Sequence, residues 1–143
     1  MNNPLDIAKE KMAAGEYTCV VLAENYEYTS HERGVKPLLS LLESGRSFRG
    51  AVAADKCVGA GAAHLYVLLG VCAVWANIIS ISAIEILEKN GISVRFGNSV
   101  PHIINRRGDG ICPIEEAVSG AKTSAQAYDL IIKTLKKLEE KAR

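Results

Sequence analysis

The sequence has almost no net charge, no C-x-x-C pair and no apolar segment as long as a membrane span. Its 17 basic and 16 acidic residues leave a formal charge of +1, so we expect no broad positive field for extended nucleic acid or an anionic membrane. The apolar segments are interrupted before the roughly 18–20 residues that a span requires. Residues 1–6 lack the basic and apolar segments of a targeting signal. We therefore expect a cytoplasmic protein.

The four cysteines stand far apart in the sequence, at Cys19, Cys57, Cys72 and Cys112. This spacing offers no dense disulfide framework, and reduced thiols are the expectation. At 143 residues the chain has the length of one domain, and no repeat, low-complexity tract or linker divides it. We predict a single domain over residues 1–143, with a core of about 17–118 and an amphipathic C-terminal helix of about 124–142.

Residues 55–91 predict a helix, a buried strand and a second helix. A glycine-punctuated turn at residues 58–61 precedes the first helix, and Gly70 ends it. Residues 73–79 are almost continuously apolar, which is typical of a central strand covered on both faces. This order of elements requires a parallel crossover with helical layers on both faces of the sheet, so we predict a three-layer α/β/α sandwich.

The second helix of this unit has a capping box and a glycine stop. The Ser82 hydroxyl is expected to accept from the N–H of Glu85, whose carboxylate reaches back to the N–H of Ser82. Gly91 then ends the helix.

The remaining elements flank this central unit. Before it we predict a helix between Asn3 and Gly15 with Pro4 at its start, a hairpin within residues 17–29, a helix from Pro37, and a strand of residues 50–54 ending in a turn at Asp55 and Lys56. After it we predict an edge strand of residues 92–96, a loop of residues 97–111 and a short helix from Pro113 with Cys112 at its cap. The last helix is predicted to begin at a capping box of Thr123 and Gln126. Its buried apolar side chains are expected to be Tyr128, Ile131, Leu135 and Leu138. The hairpin and the crossovers together make the predicted sheet mixed.

Three segments resemble a bacterial family of unknown function that has the cytidine-deaminase-like fold. They are residues 33–39, residues 58–63, and residues 103–107 followed by Cys112-Pro113-Ile114-Glu115. The resemblance extends over most of the chain, from about residue 17 to about residue 118. It implies a pocket where two helix N-termini flank the end of one strand.

The residues that hold zinc in a deaminase are absent at this pocket. Zinc deaminases place a His or Cys, then a Glu two residues later, at the first helix and P-C-x-x-C at the second. Here the two helix starts read Gly61-Ala62-Ala63 and Ser80-Ile81-Ser82-Ala83. No spacing of the histidines and cysteines reproduces a zinc site. We expect no metal, no cofactor and no deaminase reaction.

Helix N-termini can still bind an anion through their backbone N–H groups and positive dipole ends. Gly59 and Gly61 would let a phosphate or carboxylate approach, with Ser80, Ser82 and His64 as further candidate ligand-binding residues. The alternative is structural. Small residues at a helix start also permit tight helix–sheet packing, a serine also caps a helix, and His64 is a helix residue with a hydrogen-bonded or partly exposed ring.

Cys112 is the candidate nucleophile, because a helix N-terminus and upstream arginines favour the thiolate. A buried and inert helix start is the alternative. Asn105, Arg106 and Glu115 complete the candidate ligand-binding set. The alternative for Arg106 is a solvated side chain or an ion pair with Asp109.

Three functions remain open from the sequence. The leading hypothesis is a non-zinc domain that binds a small anionic ligand such as a nucleotide. The second is an interaction or assembly module, a homo-oligomer with a vestigial pocket, which would use the edge at residues 92–96 or the apolar stripe of the last helix. The third is a Cys112-dependent enzyme.

Overall fold

The computed structural model describes residues 3–142, which form six helices and five strands. The helices are α1 (Pro4–Gly15), α2 (Lys36–Glu43), α3 (Ala60–Leu69), α4 (Ile81–Lys89), α5 (Pro113–Ala117) and α6 (Ser124–Ala142). The strands are β1 (Cys19–Ala23), β2 (Tyr26–Ser30), β3 (Val52–Val58), β4 (Ala73–Ser80) and β5 (Ser93–Val100). A search of these helices finds none whose length and hydropathy suit a membrane span.

The strands form one mixed sheet in the order β2-β1-β3-β4-β5. Strand β1 pairs antiparallel with β2 and with β3, whereas β3 with β4 and β4 with β5 are parallel. Parallel neighbours need a crossover connection, which α3 and α4 provide. The predicted α/β fold with a mixed sheet and a hairpin is confirmed.

Helices cover the two faces of the sheet unequally. Helix α1 packs alone on one face against β1, β3 and β4. Its Leu5, Ala8 and Met12 are buried there, as the spacing predicted. Helices α3 and α4 contact the other face, and α2 and α6 pack against α3. The larger core therefore surrounds α3, eight of whose ten residues are buried.

Strand β3 corrects the prediction of a turn at Asp55 and Lys56. The strand continues to Val58, because the buried carboxylate of Asp55 accepts hydrogen bonds from the Cys57 N–H and the Tyr66 hydroxyl instead of needing solvent. Strand β4 is internal but β3 is the middle strand. Full coverage of β4 was also wrong, since Asn77 and Ile78 are exposed.

Two helix boundaries differ from their predicted caps. Ser80 caps α4 by accepting from the Ala83 N–H at 3.2 Å, which leaves the Ser82 hydroxyl free to donate elsewhere. Helix α1 is capped by Asn3 as predicted, but it includes Gly15, and the left-handed residue after it is Glu16 at φ 54°.

The segments after α4 also depart from prediction in part. Strand β5 lies at the edge as predicted, but it runs to Val100 and leaves Phe96 exposed. In the last capping box, Thr123 accepts from the Gln126 N–H, while the Gln126 side chain accepts from the Lys122 N–H. Leu138 is 39% exposed rather than buried.

Candidate functional site

Glu115 is the centre of a buried hydrogen-bond cluster at the start of α3. Pro113 begins α5 and places Glu115 in its first turn, where the side chain is 5% exposed. One carboxylate oxygen accepts from the Ala60 N–H at 3.3 Å and from the Ser82 hydroxyl at 3.2 Å, and the other accepts from the Ile103 N–H. A buried carboxylate requires such partners, and here they join α3, α4 and the loop before α5.

The small residues at the start of α3 make room for this arrangement. A Cβ at Gly61 would overlap Cγ2 of Ile114, and a Cβ at Gly59 would lie 3.1 Å from Cγ1 of Ile103. The glycines therefore permit close packing of α5 and its loop on α3, instead of the helix–sheet packing that the structural alternative named. The N-terminal turn of α3 is bound by the chain's own carboxylate.

A cavity of about 480 Å³ lies beside this cluster, between the N-terminal half of α3, one side of α4 along its length, the α5 segment and the start of α6. Among the predicted residues it is lined by His64, Ser82 and Glu115. Lys89, Lys122 and Ser124 line it as well. Lys122 and Ser124 were missed because no spacing in the sequence indicates that α6 packs against α3. Lys89 was missed because no local pattern shows that the end of α4 reaches the same cavity. The cavity brings titratable and hydroxyl side chains from five parts of the chain together.

His64 and Ser124 form a direct pair on the cavity wall. The Nδ1 atom of His64 lies 3.0 Å from the Ser124 hydroxyl oxygen. His64 is 7% exposed, and burial lowers the pKa of its imidazole, so the ring is neutral at pH 7. The ring is hydrogen-bonded, which the structural alternative for His64 had expected, and its hydroxyl partner opens to the cavity.

Asn105 and Arg106 do not line this cavity. Asn105 donates to the Asp109 carboxylate at 2.9 Å and accepts from the Asp109 N–H at 3.3 Å, which closes the loop upon itself. Arg106 is exposed and forms no ion pair within residues 3–142. Ser80 is fully buried and serves as the cap of α4. The ligand-binding role of all three residues stays a prediction.

Cys112 is half-buried at the start of the five-residue helix α5, and its N–H donates to the Ile103 carbonyl at 2.8 Å. Of the other cysteines, Cys19 is buried, whereas Cys57 and Cys72 are residues with exposed surface. Partial burial of the Cys57 thiol and the nearby Asp55 carboxylate raise the pKa of Cys57 to about 11. The catalytic role of Cys112 stays a prediction.

Nowhere in residues 3–142 do three His, Cys, Asp or Glu side chains gather as a metal site would require. The prediction that the protein carries no stoichiometric zinc is a matter for metal analysis. One zinc per chain that survives dialysis would contradict it.

A second buried polar cluster lies deeper, between β1, β3 and α3. The Tyr66 hydroxyl donates to the Asp55 carboxylate at 2.7 Å, and the Cys19 sulfur lies 3.5 Å from the same hydroxyl. Burial raises the pKa of Asp55 to about 7 and raises the pKa of Cys19 and of Tyr66 as well. Sequence reasoning missed this cluster because it assigned Asp55 to a turn.

Comparison with known proteins adds the family. No curated protein matches the sequence. The crystal structure of a DUF1893 family protein from Thermotoga maritima, at 2.70 Å resolution, is 22% identical with a TM-score of 0.82, and the match covers 96% of this chain and 91% of that one. The apo dCMP deaminase of cyanophage S-TIM5 is 14% identical with a TM-score of 0.48, over 70% of this chain and 100% of that one.

The Thermotoga structure shares the fold at this level of identity, and the distant likeness to the deaminase says nothing of a reaction. The family model described as a domain of unknown function, DUF1893, matches residues 7–135, which is most of the sequence. The chain therefore belongs to the DUF1893 family.

Proposed function

We propose that the chain binds a small anionic ligand, such as a nucleotide, in the 480 Å³ cavity beside α3 and α6. The observation that carries this proposal is the open first turn of α6. Thr123 accepts from the Gln126 N–H, but within residues 3–142 the N–H groups of Ser124 and Ala125 have no acceptor. A 19-residue helix directs its positive dipole end toward an anion at this place.

The charges around the cavity support the same choice. Lys122 directly precedes the cap of α6 and lines the cavity, as does Lys89 at the end of α4. The Glu115 carboxylate is already bound by three donors. Glu85 and Glu116 line the cavity as well, and they are exposed like the two lysines, so water and salt screen all four charges. The N–H groups at the start of α6 therefore carry the proposal, and the lysines add to them.

A thermal-shift panel of phosphate, sulfate, nucleotides and sugar phosphates tests the proposal. A ligand present at ten times its Kd stabilises the native state by about 1.4 kcal/mol, which raises the Tm measurably. Lys122→Ala should raise the Kd of that ligand by about threefold to fivefold. Lys133→Ala is the matched control, since Lys133 is an exposed lysine of α6 away from the cavity. No stabilisation at millimolar concentrations of any of these anions would contradict the proposal.

A second candidate is self-association through β5. This strand is an edge of the sheet, has eight residues, and carries one charged residue, Arg95. Proteins usually protect such edges with charges, proline or a cover. Phe96 is 43% exposed and Ile78, on the neighbouring strand, 37% exposed. A second copy pairing along β5 would cover the edge. A sedimentation profile that remains monomeric at high protein concentration would remove this candidate.

A further inference from the structure

Ser124 and His64 have the arrangement of a nucleophile and its general base. We propose that Ser124 is a nucleophile activated by His64, and that the cavity accepts a small ester whose acyl group Ser124 takes. This inference rests on the proposed function in one respect, because the substrate must enter the same cavity. It goes beyond binding by assigning a reaction to residues that come from α3 and α6.

The pair has the geometry that proton transfer requires. The Ser124 oxygen and His64 Nδ1 are 3.0 Å apart, within the range for a nucleophile and its base. With the ring proton on Nε2, Nδ1 accepts from the hydroxyl. Within residues 3–142 the Nε2 atom of His64 has no hydrogen-bond partner. Because no buried side-chain nitrogen or oxygen of these residues lacks a partner, Nε2 must have accessible surface, and His64 lines the cavity. Burial lowers the pKa of His64, which keeps the base neutral at pH 7.

The start of α6 supplies the electrostatic part of the site. Ser124 is the first residue of that helix, and the N–H of the next residue, Ala125, has no acceptor among the described residues. An N–H directly after the nucleophile is a recurrent donor to the oxyanion of acyl transfer. In the proposed reaction, the N–H groups that would bind an anionic ligand would donate to the oxygen that becomes negative.

The reaction balances with an ester and water alone. The Ser124 oxygen attacks the carbonyl carbon, and its proton passes to Nδ1 of His64. The tetrahedral intermediate collapses, the bond to the alcohol oxygen breaks, and the departing alcohol takes the proton from His64. A water molecule then attacks the acyl carbon on Ser124 while His64 takes one of its protons. The bond between the acyl carbon and the Ser124 oxygen breaks, His64 returns the proton to that oxygen, and a carboxylic acid leaves.

The other serines of the cavity lack one or more of these features. The Ser82 hydroxyl donates to Glu115, whose oxygens already bind two backbone N–H groups. Ser119 lines the cavity but is exposed, and no base contacts it within residues 3–142. Ser40, an exposed serine of α2 that does not line the cavity, is the control for Ser124.

Labelling of the native full-length chain with a small alkyl fluorophosphonate tests the inference. In that reaction the serine oxygen bonds to phosphorus, fluoride leaves, and the base takes the proton. We expect one adduct per chain, mapped by peptide mass spectrometry to Ser124, and none on heat-denatured protein. Ser124→Ala should abolish the adduct, His64→Gln should slow its formation by about 100-fold or more, and Ser40→Ala should leave the rate unchanged.

The wild-type adduct decides the matter even where a variant fails to fold, which circular dichroism would reveal. No adduct, an adduct at another residue, or a folded His64→Gln variant labelled at the wild-type rate overturns the inference. Stabilisation by phosphate or a nucleotide without an adduct would leave the proposed binding function standing and remove the reaction. An adduct at Ser124 without stabilisation by any anion would support the reaction and remove the proposed binding of an anionic ligand.

Discussion

The N-terminal turns of α3 and α6 line the same cavity, but the chain treats them differently. At α3, the Ala60 N–H donates to the buried carboxylate of Glu115. At α6, Thr123 accepts from one N–H, while those of Ser124 and Ala125 have no acceptor within residues 3–142. Both ends carry the same partial positive charge. One is bound to a carboxylate of the chain itself, and the other is available to a ligand.

Two helix ends of the same local geometry therefore have different roles. The α3 end has a structural role, and the α6 end has the proposed binding role. Glu115 connects α3, α4 and the loop before α5 through its three donors, so the α3 end fixes the wall of the cavity. The α6 end adds backbone donors and the Ser124 hydroxyl to that wall, beside the imidazole of His64 from α3. Glycines at a helix start are therefore not enough to predict an anion site. One must also know whether a side chain of the same chain already binds the N–H groups at that helix end.

The largest expected effect comes from breaking the α3 end with Glu115→Ala. This change leaves the Ala60 N–H, the Ile103 N–H and the Ser82 hydroxyl without their acceptor. We expect the free energy of unfolding to fall by about 3 kcal/mol, measured by urea titration. Sulfate or phosphate should recover part of this loss, because the vacated end then resembles that of α6.

Glu116→Ala is the matched control for this change, since Glu116 is the next residue, lines the same cavity and is exposed. It should alter the free energy of unfolding by less than about 0.5 kcal/mol. Equal effects of the two substitutions would mean that the hydrogen bonds of Glu115 do not hold the wall.

A second buried carboxylate, Asp55, can be compared with Glu115. Its partners are a hydroxyl and N–H groups of its own strand, whereas Glu115 binds a helix end. Burial raises the pKa of Asp55 to about 7, above the ordinary value of about 4. As pH rises from about 4 to about 7, the unfolded chain releases this proton first, so the unfolding free energy should fall by a few kcal/mol.

Asp55→Asn should remove this slope, because the amide does not titrate. The comparison is the wild-type curve minus the variant curve, which cancels the opposite contribution of His64, whose pKa burial lowers. Parallel curves for the two proteins between pH 4 and 7 would show that the pKa of Asp55 is not raised in the folded state.

A smaller effect is expected from Gly61→Ala at the α3 end. The added methyl would overlap Cγ2 of Ile114, whose branched side chain cannot easily turn away. Overpacking costs about 1–3 kcal/mol, which exceeds the roughly 1 kcal/mol that alanine gains in a helix. Gly120→Ala, which meets no atom within 4 Å, is the control. The double change with Ile114→Ala should be less harmful than the two single changes added together, and strict additivity would refute the overlap.

Most elements of the fold could be predicted because their signals are local. The strand-forming residues of segment 17–29 and the proline at the start of α1 act within a few residues, and both the hairpin and the helix are present. The turn at Asp55 was wrong because a long-range partner, Tyr66, satisfies the carboxylate inside the sheet. Ser82 was taken for a cap because its partner Glu115 lies 33 residues away in the sequence.

The candidate site was harder to predict for the same reason. Gly59, His64 and Glu115 were chosen individually, and no local pattern shows that Glu115 occupies the end of α3. The Thr123 signal correctly indicated where α6 begins. Only the packing of α6 on α3 brings Ser124 to His64, across 60 residues of sequence.

The smallest expected effect comes from Thr123→Ala, which changes the open end of α6. The Gln126 N–H loses its acceptor at 3.1 Å, so the free energy of unfolding should fall by about 1 kcal/mol. Thr134→Ala is the matched control, since its hydroxyl donates to the Leu130 carbonyl inside α6 and caps nothing. Anion binding should persist in Thr123→Ala, because the N–H groups of Ser124 and Ala125 remain and a third is released. Loss of binding with the helix intact would mean that the Thr123 hydroxyl contacts the ligand itself, and that the N–H groups at this end do not suffice.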